Sequence, residues 1–167
     1  MKQTPSRVGY PVTATHLCAI GAIVNSWSHI EMLMQVAICR LYEINQNRGL
    51  VLTSNIGFQS LVALLRILAT RGAIKDKTTA SKLSALLKRI EAGYAIRNAV
   101  AHAVWSGTAN PDVARRMSIR ARGNRLTCTD DQITVDHLCA TRDQIECLRL
   151  DLAKMFVLLD LSPTKSG

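Results

Sequence analysis

The sequence predicts an all-α domain: an antiparallel helical bundle of four to five helices, with a small β-hairpin inserted before the last helix. Three observations predict it. Apolar residues recur at alternating steps of three and four along most of the chain, which is the spacing of one face of an α-helix. Aromatic residues make up only 4% of a chain that is 48% hydrophobic, so the core must be built from Leu, Ile, Val and Ala, as packed helices are. Between residues 117 and 129 the period switches to alternation around Gly123-Asn124, a favoured two-residue hairpin turn. At 167 residues the chain is a single domain, long enough to bury a proper core.

Residues 1–12, with Pro5, Gly9 and Pro11, read as a loose lead-in, and helices occupy 13–105. Thr13 or Thr15 caps the first helix, whose stripe is Leu17, Ile20, Val24, Trp27, Glu31, Met34, Ile38 and Leu41. Ile23, Ile30, Leu33 and Ala37 flank that stripe and give the helix apolar surface for a second neighbour, which points to a homodimer. Glu31 interrupts the stripe, and a carboxylate there must find a partner or neutralise. Residues 43–55 are polar and suit a connection or a short helix. Phe58, Leu61, Leu65 and Leu68 mark the next helix, stopped by Arg71-Gly72. AIKDKTTAS is a loop, with Thr78 or Thr79 as the following cap. Leu83, Leu87, Ile90, Tyr94, Arg97 and Ala101 form the third stripe, and Gly93 within it marks close approach of another helix. SGTANPD is a turn-rich loop before the hairpin, and Thr134 caps a last helix over 135–160. A frayed tail follows.

The net charge of +9 favours a polyanionic partner such as RNA, DNA or a membrane surface. Five cysteines, odd in number and without C-x-x-C, indicate free thiols in a reducing compartment. The apolar run LCAIGAIV at 17–24 is too short to span a bilayer and continues into an amphipathic pattern, so a soluble cytoplasmic protein, with no membrane partner, is expected.

The stretch RNAVAH, residues 97–102, puts a guanidinium, an amide and an imidazole at a helix end among small apolar residues. Asn98 and His102 share a helix face, with Glu91 two turns upstream, and Arg97 is long enough to bend back toward His102. An imidazole can take or give a proton, and a guanidinium fork can hold two phosphate oxygens. RNA supplies its own nucleophile in the 2′-hydroxyl. The structural alternative is that Arg97 and His102 only complement the dipole and cap the last carbonyls.

An Arg and a His four to six residues apart, with a polar residue after the Arg, near a helix end in an all-α domain, resembles the HEPN superfamily. The stretch IRNAVAHAVW resembles the "RN…H" segment of its bacterial members, and the long first helix with an internal Glu and the shorter second helix also match. The resemblance implies a helical bundle, commonly a homodimer whose two motifs face one cleft. Many members are metal-independent endoribonucleases, toxins and defence effectors among them. Others are non-catalytic modules that bind a partner protein or nucleic acid. By that resemblance Arg97 and His102 are the catalytic pair, Asn98 is their polar support, and an antitoxin or other protein is a possible partner. The hairpin is not part of the minimal bundle.

Two further features carry candidate residues. Arg115, Arg116, Arg120, Arg122 and Arg125 fall in a run with no acidic residue, and alternation sets Arg120 and Arg122 on one strand face. Such a ribbon can track a phosphate backbone, or it can be a charged edge that resists pairing. Glu31 can pair with Arg97, across the bundle or a dimer interface, and so support the site. No metal and no other cofactor is expected. His16, His29 and His137 are scattered, His137 and Cys139 have nothing nearby to complete a ligand set, and no H-E-x-x-H or glycine-rich nucleotide loop occurs.

Overall fold

Residues 11–159 are described by the structure, a computed structural model, except for the side chains of Arg120 and Arg122. The expected lead-in up to residue 10 and the tail from residue 160 lie outside the described residues. The elements are α1 (Ala14–Leu41), α2 (Gln46–Thr53), α3 (Phe58–Thr70), α4 (Lys77–Ala101), β1 (Val104–Gly107), β2 (Val113–Arg122), β3 (Arg125–Thr134) and α5 (Val135–Leu158). The protein is mostly helical, and a three-stranded antiparallel sheet stands before the last helix.

Helix ends follow from local chemistry. Asn45 accepts from the backbone N–H of Asn47 and Arg48, so the polar connection after α1 nucleates α2. The cap of α4 is Asp76, which accepts from the N–H of Thr78 and Thr79; the threonines expected as caps are its first-turn donors. Thr134 caps α5 through the N–H of His137, as expected. Gly72 takes a positive φ just past the C-cap of α3, a conformation that favours glycine.

The core stripe of α1 differs in phase from the expected one. Ile23, Trp27, Ile30, Met34, Ala37 and Ile38 are buried, whereas Leu17 is 55% exposed. Ile23, Ile30 and Ala37, expected to flank the stripe as surface for a second neighbour, lie in the core, and more than one seam runs along α1. It is the central helix, packed on α2, α3, α4 and α5, and so buries more than one stripe. Its composition would allow a membrane crossing, but its apolar face packs inside the bundle.

The expected antiparallel arrangement is only partly realised. Ser26 donates to Glu146 at 2.9 Å, and Leu41 shares a small groove with Leu158 and Leu159, so α1 and α5 run parallel. Trp27 meets Phe58, and Ile74 lies with Leu41, so α3 runs the same way. Parallel neighbours arise because residues 42–57, including α2, return the chain to the level of Trp27 before α3 begins. Helix α4 alone of the long helices runs against the others: Arg66 pairs with Glu91 and Arg89 with Asp151. The end of α4, the sheet and the starts of α1 and α5 therefore meet at one end of the bundle.

Trp27 is fully buried, 5.2 Å from the Phe58 ring centroid and 5.8 Å from that of Tyr94, while Phe58 and Tyr94 stack at 4.2 Å. Gly93 makes room for this cluster. A Cβ there would stand 2.9 Å from Leu148 Cδ1 and 3.3 Å from both Ile145 Cδ1 and Trp27 Cζ3.

The sheet is larger than the expected hairpin over 117–129. Strands β2 and β3 pair from Val113↔Thr134 to Arg122↔Arg125, and β1 adds Val104↔Met117 through Gly107↔Ala114. Helix therefore stops at Ala101 and not near residue 105. Trp105 packs against the core and its indole N–H donates to Val100 O at 3.0 Å, which holds the chain in extended form straight after the helix. At the tip Gly123 has φ +58°, and Asn124 does not share a positive φ, the II′ arrangement with glycine first.

Gly93→Leu should destabilise the protein by about 1–3 kcal/mol, because overpacking at a site with three neighbours cannot be absorbed by one rotamer. Urea melts of the two proteins check this; equal midpoints would mean that the three helices can part at no cost.

Candidate functional site

Helix α4 delivers RNAVAH to the junction with the sheet. His102 is the C-cap, φ −106° and ψ 8°, its N–H donating to Asn98 O. Its imidazole is exposed, and Arg97 and Asn98 are half-buried. Arg97 Nη1 donates to Asn98 Oδ1 at 3.0 Å and lies 3.4 Å from His102 Nε2. A guanidinium is donor only, so in this longer contact Nε2 faces it as an acceptor. The three expected site residues are thus brought together by one turn and its cap.

Asn98 fixes a single nitrogen of the guanidinium. Arg97 Nε is buried without a hydrogen-bond partner, and Nη2 has none either among the described residues. An unpaired buried N–H costs roughly 1–3 kcal/mol. The fork is therefore held in place but not neutralised, as an anion-binding group must be.

The expected support from Glu31 is not formed within the chain. Glu31 accepts from Trp27 Nε1 at 3.0 Å, and no ion pair joins it to Arg97 among the described residues. The physical reason lies one turn earlier in α1: a buried indole N–H needs an acceptor, and the residue four positions on supplies it. Glu91 is likewise committed elsewhere. It takes Arg66 in a two-pronged pair on the α3 side, so it does not join the motif.

The sheet rearranges the five arginines of the basic run. Arg115 pairs with Asp130, through Nε to Oδ1 at 2.6 Å and a second bond from Nη2 to Oδ2. Arg116 donates to Asp131 at 2.7 Å. The run carries no acid in sequence, but register places two acids of β3 beside its first two arginines. Arg120 and Arg122 sit opposite Thr127 and Arg125 in the register, and the side chains of Arg120 and Arg122 are outside the description. Arg125 is exposed at the tip.

A groove of about 730 Å³ runs between the last turns of α4 and this sheet, lined by Ala99, Arg116, Ser118, Ala121, Thr127, Thr129 and Asp131. Ala99 belongs to the motif, and Arg97 and His102 are not among the groove's lining residues. Nothing in the local sequence marks this groove, because strand register joins Arg116 with Asp131 and Ser118 with Thr129, and Ala99 comes from α4. No three His, Cys, Asp or Glu side chains converge on one point among the described residues.

Because Glu31 and Arg97 are not paired in the chain, Glu31→Gln and Arg97→Ala should lower stability additively, within about 0.5 kcal/mol. Thermal melts of both singles and the double variant measure the coupling. A coupling of several kcal/mol would mean that the two side chains meet in solution, across the bundle or between copies.

Comparisons of the chain with protein-family models, with curated proteins and with solved structures find no match in any of the three.

Proposed function

We propose that this protein is a HEPN-like, metal-independent endoribonuclease or RNase-toxin relative, acting in the cytoplasm on RNA. One observation carries the reading: the Arg97 guanidinium is tied down by Asn98, paired with no carboxylate among the described residues, and in contact with an exposed His102. A scaffold would be expected to bury Arg97 against Glu31 and leave no cleft.

The reaction class needs little from the protein. The 2′-hydroxyl of the substrate attacks the adjacent phosphorus, the P–O5′ bond breaks, and a 2′,3′-cyclic phosphate and a 5′-hydroxyl form. One proton leaves the 2′-hydroxyl and one reaches the departing 5′-oxygen. His102 is placed to carry a proton at one of these oxygens. Arg97 is placed to hold non-bridging oxygens and to offset the charge that grows on them. Asn98 keeps the guanidinium aligned.

A second reading has its own support. Val104, Ile119 and Leu126 are 60%, 62% and 73% exposed, at positions that share one sheet face, opposite to that of Arg116, Ser118 and Thr129. Such a surface suits a non-catalytic dimeric module that binds a partner protein or nucleic acid. It also suits a homodimeric enzyme, or one held by an antitoxin or similar protein. The dimer expectation thereby moves to the sheet from the flanks of α1, of which Ile23, Ile30 and Ala37 are buried in the chain's own core and Leu33 is packed against it.

Wild-type protein should cleave RNA in the presence of EDTA, and His102→Ala should abolish cleavage with an unchanged melting curve. Arg97→Lys should fail as well, because an ammonium keeps the charge but not the planar fork. Cleavage that survives His102→Ala, or no cleavage by wild type on any RNA tried, would sink the enzymatic reading. Light scattering at tens of micromolar should give the mass of a dimer; a monomer would remove the two-motif cleft.

A further inference from the structure

Strand β3 ends the sheet, in the order β1-β2-β3, and no described strand lies on its outer side. We propose that a second copy of this chain pairs there, β3 against the partner's β3 and antiparallel, about a two-fold axis through Cys128. The two sheets then join into one. The inference deepens the dimer expectation by naming its strand and register, and it stands apart from the ribonuclease reading of the motif.

The first argument is that β3 is an open edge. It runs for 10 residues, Arg125–Thr134, and pairs with β2 residue for residue, without a bulge. It contains no proline and no lysine, and residues 125–130 are all exposed. Edges are normally blunted by one of those devices or by free charge. Here the acids of the edge are bonded back into the sheet, Asp130 to Arg115 and Asp131 to Arg116. The opposite edge offers less, since β1 has only 4 residues.

The second argument is the direction of the backbone groups. Val135 N–H donates to Asp112 O at 3.0 Å, just beyond the pair Val113↔Thr134. Hydrogen-bonded pairs alternate along an antiparallel ladder. Thr127, Thr129 and Asp131 therefore turn their N–H and C=O toward β2, and Leu126, Cys128 and Asp130 turn theirs outward. A pairing centred on Cys128 sets these outward groups against one another. Cys128 faces the partner's Cys128, and Leu126 faces the partner's Asp130.

The third argument is that one register suits the side chains. A two-fold axis normal to the sheet makes opposed residues share a face. Arg125 shares its face of β3 with Thr127, Thr129, Asp131 and Ile133, of which only Asp131 is acidic. Setting Arg125 against the partner's Asp131 gives the register centred on Cys128, and that register also sets Thr127 against the partner's Thr129. Opposite charges and paired threonines stabilise sheets, and these pairs fall at the closer, non-hydrogen-bonded positions. Arg125 is exposed and in no ion pair among the described residues. Asp131 uses Oδ2 for Arg116, and its side chain remains 45% exposed. On the other face Ile119, opposite Cys128, and Leu126, two residues from it, lie beside the axis and extend one apolar strip across both copies.

The test uses the full chain at tens of micromolar, with mass read by light scattering and folding by melting curves. Wild type and Cys128→Ser should be dimers. Cys128→Pro should be a monomer, because it removes an outward N–H and leaves the ladder to β2 intact. Arg125→Asp should raise the dimer dissociation constant about tenfold, since two attractive pairs become repulsive, and adding Asp131→Arg should restore it. With Cys18, Cys139 and Cys147 replaced by Ser, copper–phenanthroline oxidation should link Cys128 to the partner's Cys128. The Cα atoms of a hydrogen-bonded pair stand about 5.5 Å apart, within disulfide range. If Cys128→Pro does not fold, the cross-link and the charge exchange decide.

A monomeric wild type overturns the proposal. So does a folded Cys128→Pro protein that stays dimeric, or a dimer in which Cys128 does not cross-link. RNA cleavage by a protein that fails these tests leaves the ribonuclease reading standing without this interface. Pairing through β3 in a protein that cleaves nothing upholds the interface and removes the enzyme.

Discussion

Burying the Trp27 indole is the constraint on which the rest of the molecule depends. Its ring needs space, which Gly93 provides by bringing α4 against α1 and α5, and its N–H needs an acceptor, which Glu31 provides from the next turn. Filling the site at Gly93 would push α4 away from both neighbours. Moving the acceptor would strand a buried donor at a cost of roughly 1–3 kcal/mol. The aromatic stack with Phe58 and Tyr94 extends the same contact to α3. One residue thus fixes the relative placement of four helices.

That placement decides what the motif can be. With α4 locked at Gly93, its last turn projects to the end of the bundle where the sheet begins. The bond from Trp105 to Val100 O ends the helix there. Glu31, engaged by the indole, is not an ion-pair partner for Arg97 in the chain, and Glu91 is spent on Arg66. Two carboxylates near enough in sequence pattern to have neutralised the motif are thereby occupied. The guanidinium is oriented by an amide instead, which leaves its charge in place.

The sheet applies the opposite rule to its own arginines. The two at the root, Arg115 and Arg116, meet Asp130 and Asp131, and the sequence from residue 113 to 129 holds no acid. A surface of net charge +9 is therefore not uniformly basic at this end. Two arginine charges are cancelled where the hairpin joins the body, beside a groove lined by Arg116 and by Ala99 of the motif.

Much of the fold was legible in the sequence because helix periodicity, turn glycines and caps are local. The 3–4 spacing located the four longer helices, Gly72 and Thr134 marked a stop and a start, and Gly123-Asn124 marked the hairpin turn. Part of the site was local too: Arg97, Asn98 and His102 meet because they share one turn and its cap. What the sequence left undecided depends on contacts distant along the chain. The seam of α1 shifted because a central helix buries several faces, and periodicity reports a face only when one is buried. The parallel run of α1 with α5, the third strand, the pairing of Arg115 and Arg116, and the groove under Ser118 all follow from which elements meet and in what register. Glu31 shows the boundary most clearly. Its acceptor lay four residues from the indole and could be seen in the sequence, but that Trp27 would be buried so completely, and so hold Glu31 in preference to Arg97, was decided by the packing of three other helices around it.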